Sequence, residues 1–421
     1  MEEKHQPWTW RIPEGSSRVK TNITRQDAYE KVSGEAVYTR DIYLPGMLYA
    51  KVLTSPYAHA RIVKMDTSRA EALEGVRYIL KYDDPEMLTE NLTGTDAHYN
   101  ILTLPGISDF YQHPMGLVVV ADSEEICDRA LRLVRIEWEE RPFILDMEES
   151  LKPDAPKIWS EVERLRPTAG EPNTILTERV DIGDVEKGFA EADRIIEYKI
   201  RRASNSPAGV EAMACVAQWR GDFLDLWVHH QYNQPTYLCF ATIPSVQFDG
   251  MDMDDPATMP SNLGKKPTRR DKPQPPLTHW SKITLTFPYQ GSWFGGITWL
   301  AYSAAFIRLA AILARKTGGR PVKLLYDESQ FYCNGDEAGT YTCKVGIRKD
   351  GTITAYHWHT VGMRNSALEK TPECTRIRNI RGTQQWAFTN QGHHQCFRHG
   401  AAACVPHNIM FDRVAAELGL D

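Results

Sequence analysis

Apolar and polar positions alternate along several short stretches of the chain. Leu48-Tyr49-Ala50-Lys51-Val52-Leu53 and Arg61-Ile62-Val63-Lys64-Met65-Asp66 read as strands, the first entered through the turn Leu44-Pro45-Gly46. Ala36-Val37-Tyr38 reads as a shorter strand, and Leu117 to Ala121 as a buried one. Between Glu124 and Val134 the apolar residues Ile126, Ala130, Leu131 and Val134 recur at helical spacing, so this segment is predicted to be a helix. Ser68 to Leu73 suits a short helix stopped by Gly75, and Arg135 to Trp138 returns to strand. Together these make a mixed α+β unit over residues 31–150, after a polar lead-in at 1–30.

Residues 151–175 hold four prolines and few periodic apolar positions, and read as a linker. A second unit is expected over 176–421. Ala214 to Trp219 and Phe223 to Val228 predict a hairpin turned at Gly221-Asp222. Lys282 to Phe287 reads as a strand and Trp299 to Lys316 as a helix stopped by Gly318-Gly319. Val322 to Tyr326 reads as another strand. The pattern fails at about 245–281, which is acidic at Asp252 to Asp255, basic at Lys265-Lys266 and Arg269-Arg270, and rich in proline. It is predicted to be an insertion that either covers a site, grips a partner chain or forms a plain surface loop.

The composition narrows the function classes. The 421 residues are 42% hydrophobic and 25% charged, enough to bury a globular core. A net charge of −6 argues against a nucleic-acid binder. No apolar run suits a membrane span, and the N-terminus lacks the apolar core of a signal peptide, so a cytoplasmic location is expected. Eight dispersed cysteines form no CxxC pair and fit a reducing compartment.

Gly291-Ser292-Trp293-Phe294-Gly295-Gly296 stands between the strand at Lys282 and the helix at Trp299. A strand, a glycine turn and a helix start can offer backbone N–H groups to an anion or oxo group, or simply permit a tight turn. His393, His394, Cys396, His399, Cys404 and His407 crowd together near the C-terminus. Zinc is one reading, but the spacing fits no usual finger, and pocket lining with core packing is favoured over a metal site. Trp299 and Tyr302 read as core or helix-face aromatics. His357 and His359 alternate on a predicted strand and are expected on a solvated face.

Residues 33–85, from Ser33-Gly34-Glu35-Ala36-Val37-Tyr38 to Tyr82-Asp83-Asp84-Pro85, resemble the opening "hammerhead" domain of the molybdenum-binding subunit of the xanthine oxidase family. The resemblance continues through Tyr111-Gln112-His113-Pro114, Asp181-Ile182-Gly183-Asp184-Val185 and Glu211. The 291–296 segment falls on the family's glycine-rich turn, and Cys396-Phe397-Arg398-His399-Gly400 on its Ala-Phe-Arg-Gly segment.

The resemblance implies an α+β fold, a hammerhead domain followed by the first molybdopterin-binding domain. It implies a molybdenum hydroxylase that inserts water-derived oxygen into its substrate. The cofactor would be molybdopterin, in its cytosine dinucleotide form, with molybdenum. Cofactor contacts carry over to Gly291, Trp293, Phe294, Gly295, Gly296, Phe397 and Arg398. Catalytic roles fall on Asn233 or Gln234, which hold the family's glutamine position, and on Arg398 as a substrate clamp; His394 or His399, near Arg398 in the sequence, is expected as a proton donor. Ile297-Thr298 and Gly400 replace purine-gripping residues, which implies a non-purine substrate: aromatic, heterocyclic, acyl-thioester or alicyclic. Because the family's subunits continue beyond the point matched by Asp421, a second chain carrying the C-terminal half is expected, with iron–sulfur clusters and FAD on further subunits. Two rival readings are a hydratase or dehydratase on the same scaffold and a non-catalytic scaffold subunit.

Overall fold

The computed structural model describes residues 25–84, 91–93, 100–102, 106–156, 174–203, 211, 213–228, 246–247, 278–291, 300–327, 339–362, 375–387, 389–391 and 401–420. The chain divides into two compact units, Met1–Val37 and Tyr38–Asp421. In the small unit, helix α1 (Ala28–Ser33) is closed by Gly34 in the left-handed conformation. The predicted strand Ala36–Tyr38 does not form; Tyr38 makes one isolated parallel bridge with Tyr289.

The large unit is built on two sheets. In spatial order, the first comprises Ile283–Thr286 (β15), Phe223–Val228 (β12), Ala214–Arg220 (β11), Val322–Leu325 (β16), Leu48–Thr54 (β1), Pro114–Ala121 (β7) and Val76–Lys81 (β3). Strands from both the 31–150 and the 176–421 regions therefore share one sheet. Every residue of β7 is buried, as expected of a continuous apolar run covered on both faces. Helix α2 (Ser68–Glu71) and helix α3 (Glu124–Leu133) lie on one face. The Ser123 hydroxyl caps α3 by accepting from the Ile126 N–H, and α3 buries Cys127 and Ala130 against Leu117, Val119 and Ala121.

The opposite face is covered by a helix of the second unit predicted from the sequence. Residues 306–314 of that helix are wholly buried against Leu48, Ala50, Val52, Leu224, Leu226 and Leu324. The Trp219 indole N–H donates to its Ala311 carbonyl at 2.8 Å. Gly318 and Gly319, both at positive φ, end it where only glycine is unstrained.

The second sheet runs Arg194–Arg202 (β10), Gly339–Ile347 (β17), Ile353–Gly362 (β18), Ile380–Ala387 (β19) and Thr174–Ile182 (β9). Helices α4 (Met147–Ser150) and α5 (Val185–Ala190) precede it in part, and Asp146 and Asp184 cap them. Helix α6 (Leu300–Lys316) is the helix buried on the first sheet, and α7 (Ala401–Leu418) packs Met410 and Val414 against Tyr341, Tyr356 and Trp358 of the second. Smaller pairings are Ile107–Ser108 (β6), Ala60–Asp66 (β2) and Arg135–Glu140 (β8) in one sheet, and Asn91–Thr93 (β4) with Asn100–Leu102 (β5). Val246–Gln247 (β13) pairs in parallel with Thr278–His279 (β14). The two ends of the predicted insertion are thus held together, and residues 248–277 between them lie outside the described residues.

His357 and His359 do not face open water as the sequence suggested. Both are half-buried on β18, and burial lowers their basicity. The Thr383 hydroxyl lies 2.8 Å from His359 Nδ1, because β19 runs beside β18 in parallel.

Candidate functional site

Strand directions bring the described stems of the candidate segments to one edge of the first sheet. β12 and β15 are parallel neighbours, with Trp227 opposite Thr286. β11 is antiparallel to both β12 and β16, and β1 is parallel to β16. The carboxyl ends of β15, β12, β16 and β1 therefore meet the amino ends of β11 and β7 at a single edge. Chain leaves β12 there towards Asn233 and Gln234, and leaves β15 there through Gly291 towards Trp293. The carboxyl ends of parallel strands are where open α/β sheets place their ligands.

Glu211 stands just before β11 at this edge, and its carboxylate accepts a hydrogen bond from the Gly291 N–H. A Cβ on Gly291 would lie 2.8 Å from both Cβ and Oε2 of Glu211, so no larger residue fits. The strand-to-helix frame expected around the glycine-rich segment is present on both flanks, in β15 and in α6.

A third segment has its stem tied to the same region. Asn390 donates from Nδ2 to the Asp109 carbonyl at 2.8 Å and accepts at Oδ1 from the Ile144 N–H at 2.9 Å. The Asp109 N–H in turn donates to His113 Nδ1 at 3.0 Å. Next to His113, Gln112 holds a left-handed backbone at φ 63°, and its Oε1 accepts from the Thr54 hydroxyl at 2.9 Å. Residues 389–391, which lead towards Phe397, Arg398 and His399, are thereby fastened near the ends of β1 and β7. Helix α7 begins directly after that segment, at Ala401.

A buried charge cluster centres on Lys51, in the middle of β1. Its ammonium is buried and donates to Asp128 at 2.9 Å and Asp327 at 3.2 Å. Sequence reasoning passed over Lys51, although one lysine inside an apolar strand was the available signal. Gln112 was named only within a family-like segment and Asn390 not at all, because their contacts with Thr54, Asp109 and Ile144 join residues far apart in sequence.

Among the candidate residues, Gly291 is described. Asn233, Gln234, Trp293, Phe294, Gly295, Gly296, Phe397, Arg398 and His399 lie outside the described residues, as do Ile297, Thr298 and Gly400. Of the histidine and cysteine cluster, His407 has a described side chain. It is buried, with Nδ1 3.3 Å from the Tyr356 hydroxyl, and packs edge-on to Tyr356 and Trp358. This places it in the core.

In the sequence, the segments that continue from this edge carry residue types suited to an oxygen-rich, anionic ligand. Glycine-rich backbone amides, carboxamides and a guanidinium all donate to negative oxygens. The space left by the missing Cβ of Gly291, filled by Glu211, fits a sharply turned segment of this kind.

Residues 33–142 match the model described as "Aldehyde oxidase and xanthine dehydrogenase, a/b hammerhead domain". Residues 278–421 match the "Molybdopterin cofactor-binding domain". The chain is 26% identical over 423 residues to a protein of Bacillus subtilis described as a probable subunit of xanthine dehydrogenase, covering 96% of this chain and 49% of that protein. It is 25% identical to the nicotinate dehydrogenase large molybdopterin subunit of Eubacterium barkeri, covering 95% of this chain and 86% of that subunit. The structure of quinoline 2-oxidoreductase from Pseudomonas putida 86 shares the fold at TM-score 0.73 and 20% identity, over 95% of this chain and 48% of that one. Apart from the Eubacterium subunit, the chain spans about half the length of these proteins or less.

Proposed function

The chain belongs to the xanthine oxidase family of molybdenum hydroxylases, and we propose that it forms the first half of that family's molybdopterin subunit within a heteromeric enzyme that hydroxylates a non-purine substrate. The observation that carries this reading is the shared sheet edge, where the exits of β12 and β15 lie beside Glu211. When bound, molybdopterin with molybdenum supplies the two-electron oxidation and the water-derived oxygen.

The residues of this chain would bind and orient. Backbone amides of Phe294, Gly295 and Gly296 would hold the cofactor's oxygens, with Trp293 and Phe397 packed alongside. Asn233 or Gln234 would donate from a side-chain amide where negative charge develops. Arg398 would clamp a substrate oxygen or carboxylate through two parallel hydrogen bonds. His399 would donate a proton, since imidazole titrates near neutral pH.

Ile297-Thr298 and Gly400 stand in the sequence where purine-oxidising members of the family carry purine-gripping residues, which favours an aromatic, heterocyclic, acyl-thioester or alicyclic substrate. The relatives named for nicotinate and quinoline support the heterocyclic part of that range. The Eubacterium relative, described as a large molybdopterin subunit and matched over 86% of its length, supports the proposal of a partner chain that carries the rest of the cofactor cradle. Iron–sulfur and flavin subunits would take the electrons, and the cytosine dinucleotide form of the pterin is the form proposed. Buried thiols at Cys127, Cys215 and Cys343 support a reducing, cytoplasmic setting.

The test is product analysis of the assembled enzyme in isotopically labelled water, with and without an electron acceptor. Label entering the product only when the acceptor is present is the expected result. Labelled product without any acceptor would replace hydroxylation by hydration.

A further inference from the structure

We propose that Glu211 is the positioning residue of the glycine-rich segment, and that Gly291 serves as its hinge rather than as a donor to the cofactor. This inference rests on the cofactor reading above and assigns two residues distinct roles within it. Gly291 has one backbone N–H, and that group is engaged by the Glu211 carboxylate. A charge-assisted bond of this kind is stronger than a neutral one and is directional. It fixes the orientation of the peptide from which Ser292, Trp293 and Phe294 follow.

Space enforces the same arrangement. Any side chain at position 291 would collide with Cβ and Oε2 of Glu211. Two strands set the distance between the partners: Glu211 precedes β11, and Gly291 follows β15, with β12 between them in the sheet. The 80-residue separation in sequence is therefore closed by strand pairing, not by a local turn. Upstream of Gly291, Tyr289 is held by its bridge to Tyr38, so the chain reaches the hinge from a fixed direction. The backbone N–H groups that follow the hinge are the ones assigned to the ligand.

The experiment uses the assembled enzyme with its partner chains, and reads molybdenum per polypeptide and the rate of molybdenum release below the unfolding temperature. Glu211→Ala is expected to lower loading at least about fivefold and to speed release, as loss of a charge-assisted bond does. Glu211→Gln keeps an acceptor oxygen and is expected to stay within about twofold of the parent. Gly291→Ala is expected to match Glu211→Ala. The double variant Glu211→Ala/Gly291→Ala is expected to fall short of the sum of the two single changes, because both disrupt the same Glu211–Gly291 contact. Parent-like loading and release in Glu211→Ala would overturn the proposal, and so would strict additivity in the double variant. Should Glu211→Ala fail to fold, Glu211→Gln and Gly291→Ala still decide it: parent-like loading in Gly291→Ala overturns it. A parent assembly without molybdenum would instead refute the cofactor reading itself.

Discussion

Lys51, in the middle of β1, donates to Asp327, the second residue after β16, across 276 positions of sequence. The same ammonium donates to Asp128 on α3, so one buried cation joins a strand, a helix and the chain that follows β16. Burial pulls the Lys51 ammonium down, but its hydrogen bonds to Asp128 and Asp327 and their charges outweigh that and hold it above its usual value of 10.5. Its contribution to stability is therefore complete below about pH 10.5 and is lost as the pH climbs through the raised value. Lys51→Met is expected to destabilise the protein by about 1–2 kcal/mol, less than a fully buried pair because both carboxylates reach water. Denaturant unfolding checks this; an unchanged midpoint would contradict it.

His407 gives a second, opposite pH signature. Burial pushes it down to about 4, so it stays neutral in the folded protein where an exposed histidine would be charged. Acidification charges the unfolded chain first, from the ordinary value of 6.5 downwards. Stability is expected to fall between pH 6.5 and 4 by an amount on the order of 2 kcal/mol from this residue. His407→Phe should flatten that part of the stability profile relative to the parent, measured by urea unfolding at about pH 7 and about pH 4.5. Equal slopes in the two proteins would contradict the assignment.

Gly382 on β19 lies under Trp358, and a Cβ there would collide with the indole ring. Trp358 is buried in the core shared with α7. Gly382→Ala is expected to cost about 1–3 kcal/mol by overpacking. A thermal scan showing no loss would contradict the packing.

The two registers of the carboxamide make different kinetic forecasts. If Asn233 occupies the family's glutamine position, Asn233→Ala should lower kcat about 100-fold and Gln234→Ala should be mild; the other register reverses them. Steady-state kinetics of the assembled enzyme separate the two. Tolerance of both changes would remove this residue type from the site.

Much of the first sheet was legible in the sequence. β1 and the β11–β12 hairpin show period-two alternation, β7 shows a continuous apolar run, and the covering helices α3 and α6 show helical spacing; β2, in the sheet with β6 and β8, alternates as well. What local pattern does not encode is order. The placement of β16 between β11 and β1 depends on pairing partners far apart in sequence. The same limit hid the contacts of Glu211 with Gly291 and of Asn390 with Asp109. Ala36–Tyr38 has strand composition but forms no strand, beyond the Tyr38 bridge to Tyr289. His357 and His359 alternate as a solvated face would, yet β19 pairs beside them and half-buries both.

The most direct test is elemental and mass analysis of the chain purified gently with whatever accompanies it in its native host. The expected result is molybdenum with a pterin nucleotide, in an assembly that contains a chain resembling the second half of the family's subunit. The isolated chain is also expected to hold molybdenum poorly. A stable native assembly without molybdenum, or tight stoichiometric molybdenum on this chain alone, would contradict the proposed function.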